Sequence, residues 1–139
     1  MAAGSWVILD TDVWSALYAH KRPDPRAIEW RDLLRGRPVV IATQSRAEVL
    51  SGLRQTQLGP ERETSIRGQL DRTPTVPVDE AVVVAYAALT ADCRAAGHAL
   101  WGKVHTGDRW IAATAIAIGA PLLAGDAIYD GAPKLRLVN

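Results

Sequence analysis

The sequence has 139 residues, of which 48% are hydrophobic and 22% charged, and its formal net charge is +1. This length and composition suit one globular domain over residues 1–139, and the charge does not by itself indicate nucleic-acid binding. The single cysteine, Cys93, excludes an intramolecular disulfide and a cysteine metal cluster. The first apolar run, residues 6–9, is too short for a signal sequence or a membrane span, so we expect a cytoplasmic protein without a membrane anchor.

Short apolar runs alternate with helical patterns along the chain. The predicted strands span residues 6–9, 39–41, 74–78, 122–123 and 135–138. The predicted helices span about residues 13–19, 27–34, 43–55, 61–70, 79–96 and 107–118. Prolines at both ends restrict the third strand to a sheet edge. This alternation predicts an α/β fold, with three α/β/α layers and a central parallel sheet of about five strands.

Local patterns predict how several of these helices begin and pack. Asp12 and Thr43 are the expected N-caps of the first and third helices, and Ala47 is expected to face inward. The helix that begins at Asp79 has the clearest apolar stripe, and this stripe includes Cys93, which we therefore assign to the core. The helix over residues 107–118 is apolar on nearly all sides, as is typical of a buried helix.

Three acids stand where such a fold would bring them together. Asp10 and Asp126 each follow a predicted strand, and the carboxyl ends of parallel strands form the ligand-binding edge of a sheet. Asp108 lies in the first turn of the buried helix and heads an apolar stripe with Ile111 and Ala115. We therefore expect these carboxylates to share one crevice, although Asp10 and Asp126 taken singly could each be turn or capping residues.

Clustered carboxylates need a cation. Two of them ~4 Å apart repel by ~4 kcal/mol at an effective dielectric constant of about 20. An all-oxygen set of donors, without Cys or His at ligand spacing, favours Mg²⁺ or Mn²⁺ over Zn²⁺. Such an ion activates water and neutralises charge on a phosphodiester, so phosphodiester hydrolysis is the predicted reaction.

Four motifs then carry a family resemblance over almost the whole chain. They are ILDTDV at residues 8–13, AEVLSG at 47–52, GDRWIAATA at 107–115, and PLLAGD at 121–126 followed by GAPKL at 131–135. In this order and at these separations they resemble the motifs of PIN-domain ribonucleases, and in particular those of the VapC toxins of bacterial toxin–antitoxin pairs. The predicted fold is accordingly a PIN-like, Rossmann-like domain.

The resemblance implies a function and a set of site residues. It implies that Asp10 and Asp108 are the principal metal ligands, and that Glu48 and Asp126 complete the catalytic acidic pocket directly or through water. Without it, Glu48 would be assigned to a solvated helix stripe. It further implies an Mg²⁺- or Mn²⁺-dependent endoribonuclease acting on tRNA, rRNA or mRNA. Such a protein would form a homodimer and be inhibited by a VapB-like antitoxin.

Two positions depart from the family pattern and leave alternatives. Ala124 stands where many relatives have Thr or Ser, and Gly107 stands where Asn often precedes the third acid. Because the first departure removes a hydroxyl, a non-catalytic PIN scaffold that binds RNA or protein is one alternative. A phosphoacceptor receiver domain is another, but it needs an Asp at the end of a middle strand, and the second predicted strand leads into Ala42 and Thr43.

Other residues have weaker functional interpretations. Trp14 and Trp101 are candidates for stacking on RNA bases, and His105 is a candidate for reaching a phosphate. Arg46 and Arg109 lie near proposed ligands, so each could contact phosphate or form an internal salt bridge. The paired third and fourth helices are either a solvated face or a clip for the antitoxin or RNA.

Overall fold

Four parallel strands form the central sheet of the protein. A computed structural model describes residues 5–20, 22 and 24–138. The sheet order is β3-β2-β1-β4, with β1 at Val7–Leu9, β2 at Val39–Ala42, β3 at Thr75–Val76 and β4 at Leu122–Leu123. The predicted fifth strand is reduced to one parallel bridge between Leu122 and Leu137. The α/β fold is therefore confirmed with four strands and a bridge, and the strand between prolines lies at an edge as predicted.

The helices cover both faces of this sheet. They are α1 (Thr11–Tyr18), α2 (Pro25–Leu34), α3 (Thr43–Gln55), α4 (Pro60–Asp71), α5 (Glu80–Ala96) and α6 (Thr106–Ile118). Shorter 3₁₀ turns lie at Ala99–Trp101, Lys103–His105 and Ala127–Tyr129. No helix in the described part of the chain is long and apolar enough to cross a lipid bilayer.

The central strand β1 divides the core into two clusters. Val7 and Leu9 face the cluster formed with α1, α2, α3 and α4, whereas Ile8 faces the cluster formed with α5 and α6. Successive strand residues point to opposite faces, so a strand covered on both sides is apolar throughout. Cys93 is buried in the second cluster, as predicted, and burial raises the pKa of its thiol.

Three local predictions in the first and third helices were wrong. Asp10, not Asp12, is the N-cap of α1. Helix α3 begins without a side-chain cap, because the Thr43 hydroxyl donates instead to the Val76 carbonyl at 2.8 Å and links the helix to β3. Ala47 is exposed, and the buried residues of α3 are Ser45, Val49 and Leu53.

Trp14 belongs to the core. Its side chain is fully buried, and the indole Nε1 donates to Thr73 Oγ1 at 3.0 Å. The prediction that it stacks on RNA is therefore wrong. A buried Trp commonly satisfies its N–H in this way, so this residue stabilises the contact between α1 and the segment after α4.

Candidate active site

An acidic cleft lies at the carboxyl end of β1. It encloses about 50 Å³ and is lined by Asp10, Thr11, Asp12, Glu48, Asp108, Ile111 and Tyr129. Its four acids come from three separate parts of the chain. The structure thus brings Asp10, Glu48 and Asp108 together at the edge where the sequence predicted a ligand site, and it adds Asp12.

Asp10 is held in place by a strand and a helix. Its backbone N–H donates to the Leu123 carbonyl at 3.0 Å, and its Oδ1 accepts from the Val13 N–H at 2.9 Å. The residue is only 4% exposed. Two neighbouring strands and the first turn of α1 therefore fix this carboxyl group at the cleft.

The environment of Asp10 disfavours its charged form. Burial, aided by the negative charges of Asp12 and Asp108 and opposed by hydrogen bonds from the Val13 and Gly125 N–H groups, raises the pKa of this carboxyl from 3.8 to about 7. A group with this pKa is about half protonated at neutral pH. A cation in the cleft would reverse that effect, because it favours the carboxylate.

Asp108 receives one hydrogen bond on each carboxylate oxygen. Its Oδ1 accepts from the Tyr129 hydroxyl at 3.2 Å, and its Oδ2 lies 2.9 Å from His105 Nδ1. Burial, together with the charges of Asp108 and Asp10, raises the pKa of the Tyr129 phenol, so it remains protonated and can donate. His105 therefore contacts a proposed metal ligand. Tyr129 was not identified as a site residue from the sequence.

Glu48 faces the cleft instead of solvent. Its Oε1 accepts from the Thr11 hydroxyl at 2.9 Å, and Thr11 Oγ1 also lies 2.9 Å from the hydroxyl of the fully buried Ser45. This chain of hydroxyls joins the start of α1 to α3. The sequence reasoning missed Thr11 and Ser45, although Thr11 stands inside the first motif.

Asp126 lies apart from these acids. It is exposed, and its Oδ1 accepts from the Ile128 N–H at 2.9 Å, which caps the following 3₁₀ turn. It is not among the residues that line the cleft. Its participation in the site stays a prediction, whereas Asp12, which was predicted to be a cap, lines the cleft.

The two arginines near the site have structural partners. Arg46 forms an ion pair with Asp71, with 3.1 Å between Nη2 and Oδ1. Arg109 is 6% exposed, and its guanidinium donates to backbone carbonyls of the segment before α6. The internal salt bridge predicted as one option is found for Arg46, while Arg109 makes internal hydrogen bonds instead.

Gly107, which departs from the family pattern, packs closely against the side chain of Gln44. A Cβ atom at this position would lie 2.8 Å from Gln44 Nε2, closer than real Cβ contacts. The Gln44 side chain thus fills the space in which an asparagine side chain would begin.

The donor set fits a hydrated divalent cation. Within the described ranges, no three carboxyl, imidazole or thiol groups converge tightly enough to hold a metal ion by themselves. Mg²⁺ usually retains several waters and binds through one or two carboxylates plus substrate phosphate. An all-oxygen cleft with a destabilised carboxylate therefore suits Mg²⁺ or Mn²⁺ with water completing the coordination.

A larger groove borders the cleft on the side of α1, α3 and α4. It encloses about 340 Å³ and shares Thr11 and Glu48 with the cleft. Its walls are mainly apolar, and Arg62, which donates to the Ala19 carbonyl, lies in its lining. The paired helices α3 and α4 thus form one wall of a groove that leads to the acids.

Comparisons with known proteins agree with this architecture. The family model of the PIN domain matches residues 7–135. This match excludes the alternative that the chain is a receiver domain. Similar solved structures include VapBC2 from Rickettsia felis bound to a promoter DNA fragment (21% identity, 95% of this chain and 96% of that chain, TM-score 0.77). FitAcB from Neisseria gonorrhoeae is also similar (22% identity, 96% of this chain and 96% of that chain, TM-score 0.73). So is VapBC-5 from Mycobacterium tuberculosis (22% identity, 97% of this chain and 98% of that chain, TM-score 0.65). None of the curated protein sequences compared with the chain matches it significantly.

Proposed function

Because this chain belongs to the PIN-domain family, we propose that it is a divalent-metal-dependent endoribonuclease and the toxin of a VapBC-type toxin–antitoxin pair. The observation that carries the proposal is the cleft in which Asp10, with a pKa raised to about 7, lies beside Asp108 and Glu48. PIN domains are generally nucleases, and the similar folds belong to VapBC and FitAB proteins. A cytoplasmic location and a homodimer belong to the same proposal.

The cleft residues have distinct roles in this mechanism. Asp10 and Asp108 would hold Mg²⁺ or Mn²⁺, and Glu48 and Asp126 would complete the metal site directly or through water. When bound, the ion supplies positive charge that neutralises the phosphodiester and lowers the pKa of an attacking water. Glu48, oriented by the Thr11 hydroxyl, would accept the proton of that water as its oxygen bonds to phosphorus. The P–O bond to the ribose would break, and the departing ribose oxygen would take a proton from solvent.

The groove beside the cleft is the proposed antitoxin site. The similar structures contain VapBC or FitAB proteins, and the groove offers mainly apolar walls that lead to the acids. An amphipathic segment of a VapB-like antitoxin would bury its apolar face there, and a basic side chain following it would pair with the cleft carboxylates. Binding of this kind blocks both substrate and metal.

Metal-dependent cleavage of RNA tests the proposal. We expect the purified chain to cut end-labelled cellular RNA in Mg²⁺ or Mn²⁺, to stop in EDTA, and to recover when Mg²⁺ is restored. Expression is expected to arrest growth, and the product of the neighbouring gene to relieve the arrest. Cleavage that persists in EDTA would contradict the mechanism, and RNA binding without any cleavage would indicate a non-catalytic scaffold.

Tyr129→Phe is expected to lower Mg²⁺-dependent cleavage about tenfold, as loss of a hydrogen bond to a metal-binding carboxylate typically does. The ring still fills its buried site, but Asp108 Oδ1 loses the donor that orients it. A titration of cleavage rate with Mg²⁺ measures the effect, and thermal unfolding checks that the fold is retained. A wild-type titration curve would show that the hydroxyl does not position Asp108.

A further inference from the structure

The segment 98–105, which joins α5 to α6, is held rigidly by a buried arginine. Arg109 Nη1 lies 2.7, 2.8 and 2.8 Å from three successive backbone carbonyl oxygens, those of Leu100, Trp101 and Gly102, and its two protons are shared among them. Arg109 Nη2 also lies 3.2 Å from the Tyr86 hydroxyl. Charge-assisted hydrogen bonds of this kind are stronger than neutral ones, so the backbone of the segment has a defined shape.

The two ends of this segment are also anchored. At the start, His98 Nδ1 accepts from the Leu100 N–H at 3.0 Å, and its Nε2 lies 2.8 Å from the Asp130 carbonyl. At the end, His105 Nδ1 lies 2.9 Å from Asp108 Oδ2. The last residue of the segment therefore contacts a carboxylate of the acidic cleft, which fixes the position of this end relative to the cleft.

This rigid segment presents apolar side chains to solvent. Trp101 is 49% exposed and Val104 is 86% exposed, although Leu100 between the anchors is fully buried. Positive charge accompanies them, because Lys103 is exposed and the Arg94 guanidinium lies 5.8 Å from the centre of the Trp101 ring. An exposed aromatic ring with cations beside it, on the segment that leads to His105 and the acidic cleft, matches the surface that unstacked nucleotides bind.

We propose that the segment 98–105 is a stacking platform for one nucleobase of single-stranded RNA, with Trp101 as the stacking side chain. The inference rests on the proposed function, because the platform would bind a base of the same RNA strand whose phosphate enters the cleft. Aromatic faces stack on any base, while Arg94 and Lys103 supply charge complementary to the RNA backbone. The platform would therefore help to select which phosphate is cut.

Fluorescence anisotropy with a labelled single-stranded RNA octamer of random sequence tests the platform. Binding is measured in EDTA so that metal-dependent cleavage does not occur. Trp101→Ala is expected to weaken binding about 5- to 150-fold, the range found for loss of one stacked base. Trp101→Phe should retain most of the affinity. Val84→Ala, which shortens an exposed apolar side chain on α5, is the matched control and should bind as the wild type does.

Mapping of product ends in Mg²⁺ provides a second readout. We expect Trp101→Ala to redistribute the cleavage positions while cleavage remains metal-dependent. Unchanged affinity and unchanged product ends in Trp101→Ala would overturn the platform and leave the ribonuclease proposal intact. Absence of cleavage in the wild type, with weaker RNA binding by Trp101→Ala, would refute the nuclease and support the platform. A change in oligomeric state alone would identify the segment as a protein interface and overturn the inference.

Discussion

Asp10→Asn is expected to reduce metal-dependent RNA cleavage by at least about a hundredfold, which is the scale of several kcal/mol of lost transition-state stabilisation. The substitution removes one ligand charge but preserves the size of the side chain. An asparagine oxygen can still accept from the Val13 N–H as a helix cap, so the fold should be retained. Initial cleavage rates at saturating Mg²⁺, together with circular dichroism, measure the two effects.

Asp108→Asn should reduce metal-dependent cleavage by a comparable factor. Two substitutions in the loop after β4 serve as comparisons for this reduction. Asp126→Asn is expected to cost about tenfold, because this exposed acid would act through water. Asp130→Asn, at an exposed acid four residues further along that does not line the cleft, should leave the rate unchanged. Full activity in either Asp10→Asn or Asp108→Asn would refute the proposed mechanism.

The contribution of Asp10 to the stability of the metal-free protein should fall as the pH rises from about 4 to about 7. The pKa of Asp10 rises from 3.8 to about 7 on folding, so the folded state binds more protons than the unfolded state between these values. The contribution of Asp10 to the free energy of unfolding therefore decreases with rising pH in this window. A shift of about three pH units corresponds to a loss of up to about 4 kcal/mol. Urea unfolding at a series of pH values, in EDTA, measures it.

Asp10→Asn is the control for this pH dependence, because every other titratable group is the same in both proteins. Relative to this variant, the wild type should lose stability between pH 4 and pH 7, and the difference between the two profiles isolates the carboxyl group. Adding Mg²⁺ at pH 8 should restabilise the wild type, by about 2.7 kcal/mol at a concentration one hundred times its Kd, and should affect the variant much less. Parallel pH profiles for the two proteins would show that Asp10 is not the destabilised acid.

Local sequence patterns were enough to predict the layers of the fold and two of the cleft acids. The continuous apolar run of β1 requires cover on both faces, which is typical of a parallel sheet, and an acid directly after it must lie at the ligand-binding edge. Asp108 was recognised because a carboxylate that heads an apolar stripe on a helix does not face bulk water. Both signals depend only on neighbours within a few turns of the chain. Glu48, in contrast, was identified only through the family resemblance.

Tertiary structure decided which residues of each motif serve the site. Asp10 and Asp12 are two residues apart and both line the cleft, but only Asp10 is also tied to β4, through the hydrogen bond from its N–H to the Leu123 carbonyl. Similarly, Tyr129 reaches Asp108 across 21 residues of sequence. Periodicity along one helix or strand determines which side chains share a face, but the partner of that face is set by packing between distant segments. For that reason the sequence alone predicted an acidic site, whereas the hydrogen bonds that orient its carboxylates required the folded chain.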